Sequence, residues 1–173
     1  AELLMKEMNL KPEDRPVVVP AREAAAEARL KNKGHNGIYV GAAIELKDGR
    51  IVKGSNSPLL HAASSATLNA LKILAGIPDH IHLLPPAVLE RAAYLKQDIF
   101  GGKALSLDLT EVLTCLAITS SASPATQLAL VVMPILVIVS FFLGPNPMAL
   151  VFNGYEMASL IIANGALALG KPV

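Results

Sequence analysis

His61 is the side chain in this sequence whose type and setting most suggest chemistry. The pattern from Ser57-Pro58 to Gly76 predicts a buried helix, with Ser as cap, Pro in the first turn and Gly as the stop. His61 falls in its first turn, where the positive end of the helix dipole favours the neutral imidazole. That is the form that binds a metal or accepts a proton. Asn56, Ser57, Ser64 and Asn69, together with Ser65, cluster about the same helix start. Polar groups at successive turns there could line a ligand pocket, since backbone N–H groups at a helix start also receive anions. The plainer account is capping and interhelical packing, with His61 satisfied by backbone. Asp79-His80-Ile81-His82 would put two imidazoles on one side of an extended segment. With His61 these could make a three-histidine site, a count that suits zinc, so His61 and His82 are the metal-ligand candidates. A polar surface turn explains the segment equally.

These residues need elements to hold them. A helical pattern opens the chain and ends near Asn9, and a proline-punctuated loop follows over residues 11–16. The short β-branched run Val17-Val18-Val19 stops at Pro20, which suits the first position of a helix over residues 21–31. Ala21, Ala24, Ala25 and Ala28 form its inner stripe. Residues 38–46 are nearly continuous in apolar side chains and predict a covered strand. Asp48-Gly49 is a hairpin signal, and residues 50–55 form the less buried partner strand. After the buried helix come a turn over residues 77–86, a helix over 86–96, and another to Ser120 capped by Asp108 or Thr110. Ser123-Pro124 starts a shorter helix to Met133, and residues 135–142 are β-branched and aromatic enough for a core strand. Together these predict an α/β fold of three layers with a mixed sheet. The expected division is residues 1–20 as the end of a preceding region and a linker, 21–143 as the α/β domain, and 144–173 as a tail packed on it.

Composition narrows the function classes. With 53% hydrophobic and 17% charged residues among 173, the chain is rich enough in apolar groups for a real core. A net charge of +1, three Tyr, four Phe and no Trp argue against nucleic acid as partner. No Gly-Lys-Ser/Thr signature accompanies Lys33-Gly34-His35-Asn36-Gly37, so a triphosphate site is not supported within this chain. Cys115 is the single cysteine and cannot form an internal disulfide, which points to a reducing cytoplasm. No Asp, Glu, Lys or Arg lies between Glu111 and Glu156. The apolar run at 128–143 is nevertheless short of the roughly 20 residues a span needs and contains Pro134. Membrane contact is not expected. A chain that opens in helical pattern, with no initiator Met or signal layout, is read as part of a longer protein.

A hairpin feeding a helix that bears a histidine resembles the frame on which zinc-dependent nucleoside deaminases hold their metal. Such an enzyme needs a Glu two residues after its first ligand, and Ala63 stands there. It also needs a Pro-Cys-x-x-Cys turn, which is absent. The expected fold is cytidine-deaminase-like, and zinc deamination is not the expected reaction.

Longer strings carry a closer resemblance. Val17-Val18-Val19-Pro20-Ala21-Arg22-Glu23-Ala24-Ala25, Asn36-Gly37-Ile38 and Gly41-Ala42-Ala43-Ile44-Glu45-Leu46 resemble the C-terminal region of the bacterial domain-of-unknown-function 1846 family. So do Asn56-Ser57-Pro58-Leu59-Leu60-His61-Ala62-Ala63-Ser64 and Leu74-Ala75-Gly76-Ile77-Pro78-Asp79. The resemblance runs from about Glu2 to Leu130 and departs at His80, where the family pattern has Asp. It implies a C-terminal accessory domain of a larger cytoplasmic protein whose N-terminal region, of nucleotide-binding type, would be its partner. The resemblance carries over no catalytic residue or cofactor. The expected function is binding of a small polar ligand or support of assembly as a homo-oligomer. The alternative is a metal-dependent hydrolase using His61 and His82.

Overall fold

A computed structural model describes residues 2–102 and 104–143. The expected tail at 144–173 lies outside the described residues. The order of elements is α1 (Glu2–Glu7), a 3-10 turn (Pro12–Asp14), α2 (Val18–Leu30), β1 (Gly41–Glu45), β2 (Ile51–Ser55), α3 (Ala62–Leu74) and α4 (Pro86–Tyr94). A π-helical turn (Leu95–Ile99), α5 (Leu109–Thr119) and α6 (Pro124–Leu143) follow.

The hairpin is the centre of the fold. β1 and β2 pair antiparallel, with Gly41 opposite Ser55 and Glu45 opposite Ile51. Alternation then sends the two sets of side chains to opposite faces. Ala43 and Ile51 pack with Val17 and Ala21 on the α2 side, and Ala42 packs with Ala62 and Ala66 on the α3 side. The small residues have a physical purpose. A Cβ on Gly54 would press on the Ala66 backbone nitrogen and stand 2.6 Å from Ala66 Cα. Strand and helix therefore touch backbone to backbone. Beyond α3 lies the main core, where Leu71, Leu107, Val112 and Leu116 are fully buried and Leu83, Leu84 and Leu89 join them.

The mixture of helix and strand agrees with an α/β reading. The mixed sheet does not form: among the described residues the sheet is two antiparallel strands, accompanied by one isolated parallel bridge between Leu60 and Leu107. Residues 135–142 are helical rather than a strand, because α6 continues unbroken from Pro124 past Pro134 to Leu143. Their β-branched composition favours a pleated, half-buried surface only where neighbouring strands supply one. α2 begins three residues earlier than predicted, taking Val18 and Val19 into its first turn. Pro20 is tolerated there because the first N–H groups of a helix have no partner within it.

α3 is corrected at its start. Ser57 does not cap it; its hydroxyl accepts the Leu60 N–H at 3.1 Å and its N–H donates to Leu60 O at 2.9 Å, closing a turn. Leu60 then bridges to Leu107, with His61 N–H donating to Leu107 O at 3.0 Å and Leu107 N–H to Leu59 O at 2.8 Å. Helix begins only at Ala62, so His61 is the capping position rather than part of the first turn. The other Ser-Pro pair behaves as predicted, since Ser123 Oγ accepts the Thr126 N–H at 3.3 Å at the head of α6. Among the described residues no helix is long and apolar enough to cross a membrane.

Candidate functional site

A cleft of about 390 Å³ opens at the head of α3. His61, Ala62 and Ala63 form its floor, the connector to β1 forms one wall, and the segment before α5 forms the other. His35, Asn56, His61 and Ser106 are its polar residues; Ile38, Val40, Ala104 and Leu109 supply apolar surface.

Each wall has a local cause. Asn36-Gly37 makes a tight turn with φ of 51° and 73°, closed by His35 N–H to Ile38 O at 3.2 Å and Ile38 N–H to His35 O at 2.9 Å. Positive φ at both central residues is the two-residue hairpin geometry that Asn-Gly favours. That turn carries His35 to the rim, where its Nε2 lies 3.1 Å from the Asn36 amide nitrogen. Asn56 anchors the connector: its Oδ1 accepts the Val40 N–H at 2.8 Å and its Nδ2 donates to Ile38 O at 3.0 Å. The amide thus extends the sheet's pairing, and both of its polar ends are engaged by backbone.

The opposite wall is held by charge. Asp108 caps α5, accepting the Glu111 N–H at 2.9 Å, while Glu111 Oε2 accepts the Asp108 N–H at 2.8 Å. This reciprocal capping box satisfies two otherwise unpartnered donors. Lys96, brought in by the π-helical turn, donates to Glu111 Oε2 and to Ser106 O, both at 2.8 Å. These groups act on His61. Partial burial of the ring holds its pKa below the ordinary imidazole value, and the Lys96 ammonium lowers it further against smaller opposing pulls from Asp108 and Glu111. The side chain is still open to solvent on its outer side. A neutral ring offers one N–H donor and one acceptor. His61 makes no side-chain hydrogen bond to cap α3. His61, Ala62 and Ala63 line a space that a ligand can reach.

The structure divides the other candidates. Ser64 is fully buried and donates to Leu107 O at 3.2 Å, which locks α3 to residue 107. Asn69 donates to Lys53 O at 2.9 Å and lines a second cleft together with His82. His61 and His82 therefore serve different clefts. Among the described residues no three His, Cys, Asp or Glu side chains gather as metal ligands, so the three-histidine grouping with His80 is not formed. Sequence reasoning missed His35 and Lys96. The Asn36-Gly37 dipeptide was a signal for the first; the second depends on a π turn that composition does not announce.

Comparison with known proteins gives a consistent picture. The family model described as "Domain of unknown function DUF1846, C-terminal" matches residues 13–142, extending past Leu130, where the resemblance was expected to end. A UPF0371 protein of Clostridium botulinum (strain Eklund 17B / Type B) is 40% identical over 136 residues, covering 79% of this chain and 27% of the relative. One from Clostridium botulinum (strain Langeland / NCTC 10281 / Type F) is 43% identical over 137 residues, with 79% and 27% covered. One from Clostridium tetani (strain Massachusetts / E88) is 39% identical over 130 residues, with 75% and 26% covered. The chain thus spans about a quarter of the length of the curated relatives it matches.

Proposed function

Since the chain belongs to the DUF1846 family through that C-terminal domain, we propose that it is an accessory domain of a larger cytoplasmic protein and binds a small polar ligand in the His61 cleft. The ligand class that fits is a planar heterocycle of nucleobase or nucleoside size. The observation that carries this reading is the place of His61, at the head of α3 and lining a cleft of about 390 Å³, where partial burial lowers its pKa. That volume is within the range of small-molecule sites, which combine apolar walls with a few polar groups. Among the lining residues, Ile38, Val40 and Leu109 would cover ring faces, while His35 and His61 would meet polar edges.

The hairpin leading into a helix headed by His61 is the part that resembles a nucleoside-deaminase frame, and we take the ligand class from that resemblance without the reaction. Ala63 occupies the position of the proton-shuttling Glu, and one cysteine cannot complete the usual ligand set. The domain holds its ligand unreacted, beside the nucleotide-binding-type region expected elsewhere in the longer protein. Calorimetric titration with uridine and cytidine tests this. The reading expects saturable binding that His61→Ala weakens about tenfold, a loss of roughly 1.4 kcal/mol, with no conversion of cytidine to uridine. No heat from either nucleoside, or equal binding by His61→Ala, would overturn it.

Assembly has an observation of its own. The π-helical turn leaves Tyr94, Ile99 and Phe100 exposed, Phe100 at 75%. An apolar patch of this kind is a contact surface in waiting, and a second copy of this chain is the occupant we assign to it. Light scattering is expected to give a dimer mass that falls to the monomer in Phe100→Asp. A monomer at every concentration would contradict it.

A further inference from the structure

We infer that the second cleft, beneath Lys72 of α3, is a binding site for a small aliphatic carboxylate. The cleft measures about 160 Å³ and is separate from the one at His61, so the two readings stand or fall independently. Lys72 is 9% exposed, an unusual position for an ammonium. A buried cation is tolerated where partners compensate its lost hydration. Here the partners are few. The ammonium donates to the backbone oxygen of Asp79, and the Asp79 carboxylate lies 3.6 Å away on a fully exposed side chain. That separation is beyond a good hydrogen bond. An ammonium has three donors, and a ligand carboxylate would take the place of the exposed Asp79 carboxylate beside the one that the Asp79 backbone oxygen holds.

The remaining lining defines that acceptor. Ser65 and His82 bring further donors to the same space. Leu60, Leu68 and Leu84 supply hydrocarbon wall, beside the polar Asn69. A carboxylate head set on Lys72, with Ser65 or His82 sharing its second oxygen, leaves a short alkyl chain against the leucines. Inorganic phosphate would satisfy the donors and waste the apolar wall. Asp79 is the ligand's competitor, since its exposed carboxylate already pairs with Lys72 at 3.6 Å.

The test uses the full chain, with isobutyrate as probe beside its neutral isostere isobutyramide and beside inorganic phosphate, at constant ionic strength. Backbone NMR shifts are expected to move saturably with isobutyrate at Ser65, Asn69, Lys72 and His82. Isobutyramide and the Lys72→Met protein should each bind about tenfold more weakly or worse, as loss of a charge-assisted hydrogen bond requires. Asp79→Asn should tighten isobutyrate by about two- to fivefold, the weight of an exposed ion pair. Equal shifts from the acid and the amide would overturn the proposal, as would full binding by Lys72→Met. Phosphate binding as tightly as isobutyrate would refute the aliphatic assignment. If Lys72→Met does not fold, Asp79→Asn decides alone: unchanged affinity refutes the site.

Discussion

Gly54→Ala tests the contact on which the whole site is built. The added methyl would press on the Ala66 backbone nitrogen and stand 2.6 Å from Ala66 Cα and 2.8 Å from the Ser65 carbonyl carbon. Carbon atoms in good contact are about 3.5–4.0 Å apart, so α3 must retreat from β2 by about 1 Å. Overpacking usually costs about 1–3 kcal/mol when side chains can yield. Here the neighbours are helix backbone, no rotamer relieves the clash, and about 3 kcal/mol is expected. Urea unfolding followed by circular dichroism reads this as a lower midpoint at unchanged slope. Gly49→Ala is the control: at φ of 82° with nothing within 4 Å of its Cβ, it should lose only the conformational cost, about 1 kcal/mol. A Gly54→Ala protein within about 0.5 kcal/mol of the parent would refute the backbone-to-backbone packing.

Three more outcomes follow from particular groups. Thr67 Oγ1 is buried without a hydrogen-bond partner among the described residues, so Thr67→Val should be neutral or stabilising by about 1 kcal/mol in the same unfolding assay. Asp108→Ala removes the acceptor of the Glu111 N–H and should destabilise by about 1–2 kcal/mol, with circular dichroism showing loss of helix at the head of α5. Because the folded-state pKa of His61 is lowered, the unfolded chain takes up the proton first as pH falls. The contribution of His61 is then complete above the ordinary imidazole value near 6.5 and declines as pH falls below it. Unfolding midpoints measured in His61→Gln across this window should lack that decline.

Much of the frame could be read from residue order, and the exceptions have physical causes. The hairpin was evident from an apolar run at 38–46, the Asp48-Gly49 signal and a less buried partner run at 50–55. Its turn is not the two-residue type, because Leu46 N–H donates to Arg50 O and Gly49 N–H to Leu46 O around a three-residue loop. The two-residue geometry occurs instead at Asn36-Gly37. Ser57-Pro58 and Ser123-Pro124 are the same local signal with different outcomes. At the first, the bridge between Leu60 and Leu107 delays the helix to Ala62. No local pattern contains that distant partner. The same pairing explains the site: His61 is where the bridged segment ends and α3 begins. Ser64 and Asn56 were recognisable as polar and close to His61, yet their hydrogen bonds go to backbone, which residue type alone does not reveal.

The most direct test of the ligand reading follows the imidazole signals of His35 and His61 by NMR during a uridine titration at neutral pH. The two rings line one cleft, so both should shift along a single saturation curve while the His82 ring stays still. Movement of neither ring, or of His61 with no response from His35, would contradict a shared binding cleft.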